Sequence, residues 1–182
     1  RVVGAGSSPL SRTLTIDLGS TDGVARGQVV VGDQGLIGVV QRVGWTSAEI
    51  LLVTDPSMTV RGKSLRSGER ARLEGHAISS GPPLQLSLSR QADLRPGDRL
   101  VTSGDGGVFP AGGSVGEVVR VWQPEGSQER RAEVVPFARF GKLEFVLLLS
   151  FQKPPEPLVT PEPLIPRELR TSSTATAAVG MR

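Results

Sequence analysis

The sequence predicts an all-β fold made of two small β-barrels in tandem. Three observations predict it: apolar and polar residues alternate along short segments, turn-forming residues separate those segments, and no segment of useful length has helical periodicity. The 23 glycines and 14 prolines among 182 residues also argue against long helices. Many short strands at regular spacing are typical of barrels and sandwiches.

The strands follow from the alternation. In residues 13–18 and 84–89 every second residue is a large aliphatic one, so one face of each extended segment is apolar. The same reasoning predicts about eleven strands, at 13–18, 28–31, 36–43, 49–53, 59–63, 71–74, 84–89, 99–102, 115–122, 132–136 and 143–150. Gly, Pro, Asp and Ser supply the turns between them.

One pattern occurs twice, in copies that start about 70 residues apart, at Gly27 and Gly97. In each copy a Gly-led turn precedes a strand and a Gly-rich reversal follows it. The next strand then carries an early glycine, Gly38 in the first copy and Gly116 in the second. This repetition indicates that one small β unit is used twice.

The repeat predicts the domain organisation. The first barrel is expected at residues 1–66, possibly completed by 143–150, and the second at 67–151, with the seam near residues 65–68. Each barrel alone would bury little surface, so we expect a shared interface. Residues 152–182 contain six prolines and a Ser/Thr/Ala-rich stretch, and this composition predicts a flexible tail.

Composition excludes several function classes. The absence of cysteine excludes disulfides, thiol catalysis and Cys-based zinc sites. The net charge of +3 is modest and the basic residues are scattered, so no nucleic-acid footprint is evident. No apolar run approaches the roughly 20 residues that a membrane-spanning helix needs.

No sequence motif gives good evidence for a catalytic site. The Ser-Gly-Asp-Gly-Gly run at 103–107 superficially resembles the nucleophile loop of two-barrel serine proteases, but the serine between Asp105 and Gly106 is missing. The single histidine, His76, follows a predicted strand with no candidate nucleophile near it. The aspartates mostly lie beside Gly, Pro or Ser, where they usually accept backbone hydrogen bonds in turns. We therefore predict no enzyme activity, metal or cofactor.

The Gly-rich loop after the strand at 99–102 is the strongest candidate for a binding role. Phe109 at its tip, together with Trp45 and Trp122, either plugs the end of a barrel or forms an exposed apolar anchor for a partner protein. The candidate contacts are Val108, Phe109 and Pro110 in this loop, and Leu36 and Ile37 in the corresponding first-copy loop. A small-barrel binder of nucleic acid or polysaccharide remains the alternative.

Four ordered stretches resemble the periplasmic region of the MreC family of bacterial rod-shape-determining proteins. They are residues 8–24 (beginning Ser-Pro-Leu-Ser-Arg-Thr-Leu), 35–40 (Gly-Leu-Ile-Gly-Val-Val), 51–56 (Leu-Leu-Val-Thr-Asp-Pro), and 102–110 (Thr-Ser-Gly-Asp-Gly-Gly-Val-Phe-Pro) with Val115-Gly116. The likeness covers about residues 1–149, in the family's order and at similar spacing. Leu10 departs from it, standing where the family commonly has an aromatic residue.

The resemblance implies a non-enzymatic scaffold of the cell-elongation machinery that maintains rod shape, on the periplasmic side of the inner membrane. It implies a transmembrane helix and a coiled coil before Arg1, and self-association into dimers or filaments. The partners it implies are the class B penicillin-binding protein of the rod system, which the scaffold binds and activates, MreD and, indirectly, MreB. From the charge distribution and the absence of site motifs, we expect no nucleic-acid partner and no cofactor.

Overall fold

The computed structural model describes residues 1–8, 11–76 and 83–150, without the side chains of residues 5–8, 11 and 142. The described part contains two short 3₁₀ helices, Ser20–Asp22 and Phe140–Lys142, and no α-helix. Its strands are β1 (Val2–Ser8), β2 (Ser11–Ile16), β3 (Val29–Val31), β4 (Leu36–Val43), β5 (Ala48–Leu52), β6 (Thr59–Ser64), β7 (Arg70–Gly75), β8 (Leu84–Leu88), β9 (Arg99–Thr102), β10 (Ser114–Trp122), β11 (Arg130–Pro136) and β12 (Leu147–Leu149). The all-β prediction is confirmed.

The first unit is a curled, six-stranded antiparallel sheet in the order β1-β2-β5-β4-β3-β12. Its alternating residues point into a core that includes Leu14, Ile16, Ile37 and Ile50. The two ends of the sheet approach each other where the Val2 N–H donates to the Glu144 carbonyl at 3.1 Å, but β1 and β12 do not form a ladder.

The second unit is a closed six-stranded barrel in the order β10-β11-β8-β7-β6-β9, with β9 pairing with β6 to complete the ring. The burial of β7 alternates strictly, with Ala71 and Leu73 inside and Arg70 and Arg72 outside. This is the period-two pattern that a half-buried strand requires. Closure removes free strand edges from this unit.

The early glycine in each of the two sequence copies is required for the same structural reason, a close approach of the neighbouring backbone. A Cβ added at Gly38 would lie 1.9 Å from the Leu51 carbonyl oxygen, and one added at Gly116 would lie 2.4 Å from the Val135 carbonyl oxygen. Both positions therefore bring neighbouring backbones closer than any side chain allows. On the other side of each glycine the pairing also shifts register, between β3 and β4 beside Gly38 and between β9 and β10 beside Gly116.

The chain changes units earlier than the sequence suggests. The strand β6 pairs with β7 and β9 in the closed barrel, so the expected boundary between 66 and 67 is wrong, and the crossing lies between β5 and β6. Residues 65–68 instead form the turn of the β6–β7 hairpin. Arg66 in this turn bonds Asp93 and Asp98 of the same unit. At its other end the chain returns to the first sheet, where β12 pairs with β3.

The two units share a continuous apolar interface. Val29 and Leu36, both from the first sheet, belong to the same buried cluster as the barrel core. The turn before β4 packs so closely on the barrel that a Cβ at Gly35 would lie 2.8 Å from the Ser114 carbonyl oxygen. Phe140 contacts both cores. The units therefore stabilise each other.

The predicted flexible tail, residues 152–182, lies outside the described residues. In the described ranges, the protein has no helix that is both long and apolar enough to span a membrane.

Candidate partner-binding surface

Thr102 closes the base of the Gly-rich loop between β9 and β10. Its hydroxyl donates to the Pro110 carbonyl and accepts a hydrogen bond from the Gly113 N–H at 2.8 Å. The Thr102 backbone pairs with Gly113 and accepts from the Gly112 N–H. Positive φ at Gly104, Gly107 and Gly112 agrees with the predicted use of these glycines for shape. The loop is therefore a fixed structure.

The three candidate residues of this loop have different environments. Phe109 is only 6% exposed and packs in the barrel core, so it plugs the barrel and is not an exposed anchor. Pro110 is half-buried, whereas Val108 is 47% exposed. The loop thus turns its largest apolar group inward, into the core of the closed barrel. Val108 alone of the three is exposed.

The two first-copy candidates are also buried. Leu36 and Ile37 begin β4 and do not lie in a loop. Leu36 packs into the interface cluster with the barrel, and Ile37 is fully buried in the core of the first sheet. The reversal before them is completed within Gly32–Gly35, so neither side chain lies in the turn or is exposed in the free protein.

Trp45 is the most exposed large apolar residue among the described ones, at 81%. It lies in the turn between β4 and β5, and its backbone is held by its neighbours. Its carbonyl accepts hydrogen bonds from the Thr21 hydroxyl at 2.8 Å and from the Thr21 N–H at 3.2 Å. A fixed backbone that presents a solvated indole is suited to protein contact. Of the two roles weighed for Trp45, the structure excludes the barrel plug.

Sequence reasoning missed a second apolar group beside the edge of the first sheet. Phe145, Leu147 and Leu149 alternate along the last strand and the residue pair before it, and their side chains are exposed. Leu148 between them packs on the core of the first sheet. Residues 145–149 form a continuous apolar run in the sequence, so both faces of the strand are apolar and the pattern does not show which side is buried.

Several aspartates accept backbone hydrogen bonds in turns, as expected from the Gly, Pro and Ser residues beside them in the sequence. Burial by itself raises the pKa of Asp55, but hydrogen bonds from the Arg12 N–H (2.7 Å) and from Ser57 outweigh this and hold it below its usual range. His76 is exposed directly after β7. Within the described ranges, no three His, Asp or Glu side chains are grouped so that they could hold a metal ion.

Asp98 has the most elaborate set of partners. Arg66 donates to both of its carboxylate oxygens, at 2.6 and 2.9 Å, and the Arg95 N–H donates at 3.0 Å. The Arg66 hydrogen bonds hold the pKa of Asp98 below its ordinary value, against a smaller opposing effect of burial. They also lower the pKa of Asp93 and raise that of Arg66. This group fixes two barrel loops together and leaves the Gly-rich loop to other contacts.

Comparison with known proteins identifies the family. The family described as "Rod shape-determining protein MreC, barrel core" matches residues 2–150, a range that contains all twelve described strands. The chain belongs to the MreC family. This confirms the resemblance drawn from the four sequence stretches. A curated MreC, the cell shape-determining protein of Cereibacter sphaeroides, is 37% identical over 164 residues, which are 90% of this chain and 52% of that protein. The chain thus spans about half the length of this MreC.

Solved MreC structures share the fold. The crystal structure of MreC from Pseudomonas aeruginosa has a TM-score of 0.75 and 34% identity, over 82% of this chain and 96% of that one. Two more distant structures each have a TM-score of 0.59. One is the major periplasmic domain from the cell shape-determining filament MreC, at 24% identity over 75% of this chain and 84% of that chain. The other is a complex between a penicillin-binding protein (PBP2) and MreC from Helicobacter pylori, at 18% identity over 78% and 87%.

Proposed function

We propose that this chain is the β region of a non-enzymatic scaffold that maintains rod shape on the periplasmic side of the inner membrane. It acts by binding and activating the class B penicillin-binding protein of the rod system. Two facts support the proposal: membership of the MreC family, and the existence of a solved complex between a distant MreC and a penicillin-binding protein. Binding to MreD and an indirect link to MreB stay predictions from the same membership.

We propose the exposed indole of Trp45 as the main contact with the partner protein. Tryptophan is enriched among the residues that dominate binding energy, because its large rigid surface is buried at little entropic cost. Trp45 is solvated in the free protein, whereas the aromatic residue favoured by sequence, Phe109, is already buried. The partner-binding prediction therefore moves from the tip of the Gly-rich loop to the β4–β5 turn, with Val108 as a secondary contact.

Binding of this chain to the purified periplasmic part of the rod-system penicillin-binding protein tests the proposal. We expect saturable binding that survives moderate salt, and a loss of about 2 kcal/mol of binding free energy in Trp45→Ala, the usual size of a hot-spot truncation. Leu65→Ala is the matched control, since Leu65 is also exposed and apolar but lies in the β6–β7 turn. Equal affinity of Trp45→Ala and Leu65→Ala would remove Trp45 from the interface. Absence of binding by the unmodified chain would contradict the scaffold proposal.

Self-association is the second part of the proposal. The first sheet has two edge strands, and β12 adds the exposed Leu147 and Leu149 beside its free edge. An edge of this kind is a template for pairing with a second copy. Sedimentation of the chain is expected to show a concentration-dependent larger species that Leu147→Lys abolishes. A plain monomer at all concentrations would contradict this part without affecting the binding of the transpeptidase.

A further inference from the structure

The outer face of the β6–β7 hairpin carries an unusual arrangement of charge. The strand register places Arg61 directly opposite Arg72, and Lys63 directly opposite Arg70. All four side chains belong to the outward-facing set of their strands. Like charges placed opposite each other on neighbouring strands destabilise a sheet, so folding alone does not explain two such pairs in succession.

Neighbouring carboxylates neutralise only part of this charge. Arg70 lies 3.2 Å from Asp105, and Arg72 lies 3.0 Å from Glu74. Within the described ranges, no carboxylate lies within 4.0 Å of the Arg61 guanidinium or the Lys63 ammonium group. The hairpin therefore keeps positive charge that an anionic ligand could neutralise.

The Gly-rich loop converts this basic face into a groove. Ser103 fixes the loop against β6, because its N–H and its hydroxyl both donate to the Arg61 carbonyl, at 2.9 and 3.2 Å. A cavity of about 300 Å³ lies between the loop and the hairpin, and Arg61 and Arg72 both line it. A second cavity of about 350 Å³ also has Arg61 and Arg72 in its lining, together with Arg70. The loop contributes Gly104 and Gly106, with Val108 and Phe109, to the first cavity, where a ligand backbone could approach the glycines closely. It contributes Ser103 and Asp105 to the second, where Asp105 is already paired with Arg70.

We propose that this groove binds an extended acidic peptide whose carboxylates occupy alternate positions. Outward residues along a strand recur every two residues, about 6.6 Å apart, and the cations at Arg61 and Lys63 follow that spacing. An extended peptide has the same period, so successive carboxylates would meet successive cations. A compact anion such as phosphate could engage the Arg61–Arg72 pair but would leave Lys63 and Arg70 unused. Trp45 does not line the groove, whereas Val108, the proposed secondary contact of the transpeptidase, lines its first cavity.

Fluorescence anisotropy with a labelled peptide of alternating glutamate and serine tests the proposal on the whole chain. The test variant is Arg61→Gln with Arg72→Gln. The control is Arg26→Gln with Arg42→Gln, which removes the same charge from exposed positions of the first unit. We expect the test variant to bind about ten-fold more weakly, since each lost charge pair at an exposed site is worth roughly 0.2–1 kcal/mol, and the control to change less than about two-fold. Because the test variant removes a like-charge pair, its melting temperature should stay at or above that of the unmodified chain. The control loses only the exposed Arg42–Glu49 ion pair, so its melting temperature should change little.

Several outcomes would overturn the proposal. One is equal weakening in both double variants, which would mean that net charge alone attracts the peptide. Another is equal binding of a glutamine-serine peptide, which would exclude a role for the carboxylates. Failure of the glutamate peptide to bind would also overturn it. Tighter binding of a single-stranded oligonucleotide through Arg61 and Arg72 would assign the groove to nucleic acid instead.

Discussion

At the scale of a single residue, Val108 and Phe109 are neighbours with opposite environments. Val108 is 47% exposed, whereas Phe109 is buried in the barrel core. A sequence of Gly, Val, Phe and Pro predicts a turn with apolar residues, but it does not predict which of them points inward. That choice depends on the space that the closed barrel leaves at its end, which is a tertiary property.

Phe109→Ala is therefore expected to destabilise the fold by about 3–4 kcal/mol, because it leaves a cavity in the barrel core. Val108→Ala is expected to change the free energy of unfolding by less than about 0.5 kcal/mol. Urea unfolding followed by circular dichroism measures both. Equal, small effects would show that Phe109 does not fill the barrel.

The carboxylate of Asp98 gives the protein a specific acid sensitivity. Its pKa is lower in the folded state than in the unfolded chain, where an aspartate titrates near 3.9. The stabilisation is thus fully present above that value and is lost as the pH falls through the folded-state pKa. Asp93 and Asp55, whose pKa values are also lowered, contribute in the same direction.

Asp98→Asn is expected to reduce stability at neutral pH by about 2 kcal/mol and to flatten the decline of stability between about pH 5 and pH 2. The exposed Asp33→Asn serves as the control and should preserve the slope of the unmodified chain. Guanidinium unfolding at several pH values measures the slope. An unchanged slope in Asp98→Asn would assign the acid sensitivity to other groups.

At the scale of an element, the repeated unit is a strand that begins with a close backbone approach. Gly38 in β4 and Gly116 in β10 each meet the carbonyl of the adjacent strand at a distance that excludes a Cβ. The sequence shows the repetition of these glycines, but the reason for it appears only when the paired strand is known.

Gly38→Ala and Gly116→Ala should each destabilise the protein by roughly 2–3 kcal/mol, because the added methyl group forces the two backbones apart. Gly4→Ala in β1 is the matched control, since no atom lies within 4 Å of the added Cβ. Thermal unfolding is the measurement. A loss in Gly4→Ala as large as in the other two would point to a general cost of replacing strand glycines.

Most strands could be predicted because they are amphipathic, but β1 and the unit boundary could not. Residues 2–8 are mostly small and lack an apolar alternation, so the pairing of β1 with β2 is what makes them a strand. The turn at 65–68 contains Ser and Gly, as an interdomain linker would. The turn in fact joins β6 to β7 within the barrel, and Arg66 in it bonds Asp93 and Asp98, about 30 residues further along the chain. A local sequence pattern does not reveal contacts at that distance.

At the scale of the whole molecule, the two units behave as one body because their cores meet. Val29, Leu36 and Phe140, which lie outside the barrel strands, pack on the barrel core. Removing either unit would expose these groups to water, at about 25 cal/mol for each Å² of apolar surface. A single cooperative unfolding transition follows.

Two single-tryptophan variants can test this cooperativity, since Trp45 lies in the first unit and Trp122 in the barrel. Trp122→Phe leaves the first probe and Trp45→Phe leaves the second. We expect the two variants to have coincident denaturation midpoints. Leu36→Ala should lower the free energy of unfolding by the same amount in either background, about 2–4 kcal/mol. Separate midpoints would show that the units unfold independently.

The return of β12 to the first sheet has a mechanical consequence. The chain enters the barrel after β5 and leaves it before β12, so both ends of the described chain are anchored at opposite edges of one sheet. A pull between residues 1 and 150 is therefore carried across the hydrogen-bond ladders from β1 to β12. The barrel is a segment of the chain between β5 and β12 and does not lie on this load path. Under tension, the edge strands of the first sheet would therefore detach before the barrel bears force.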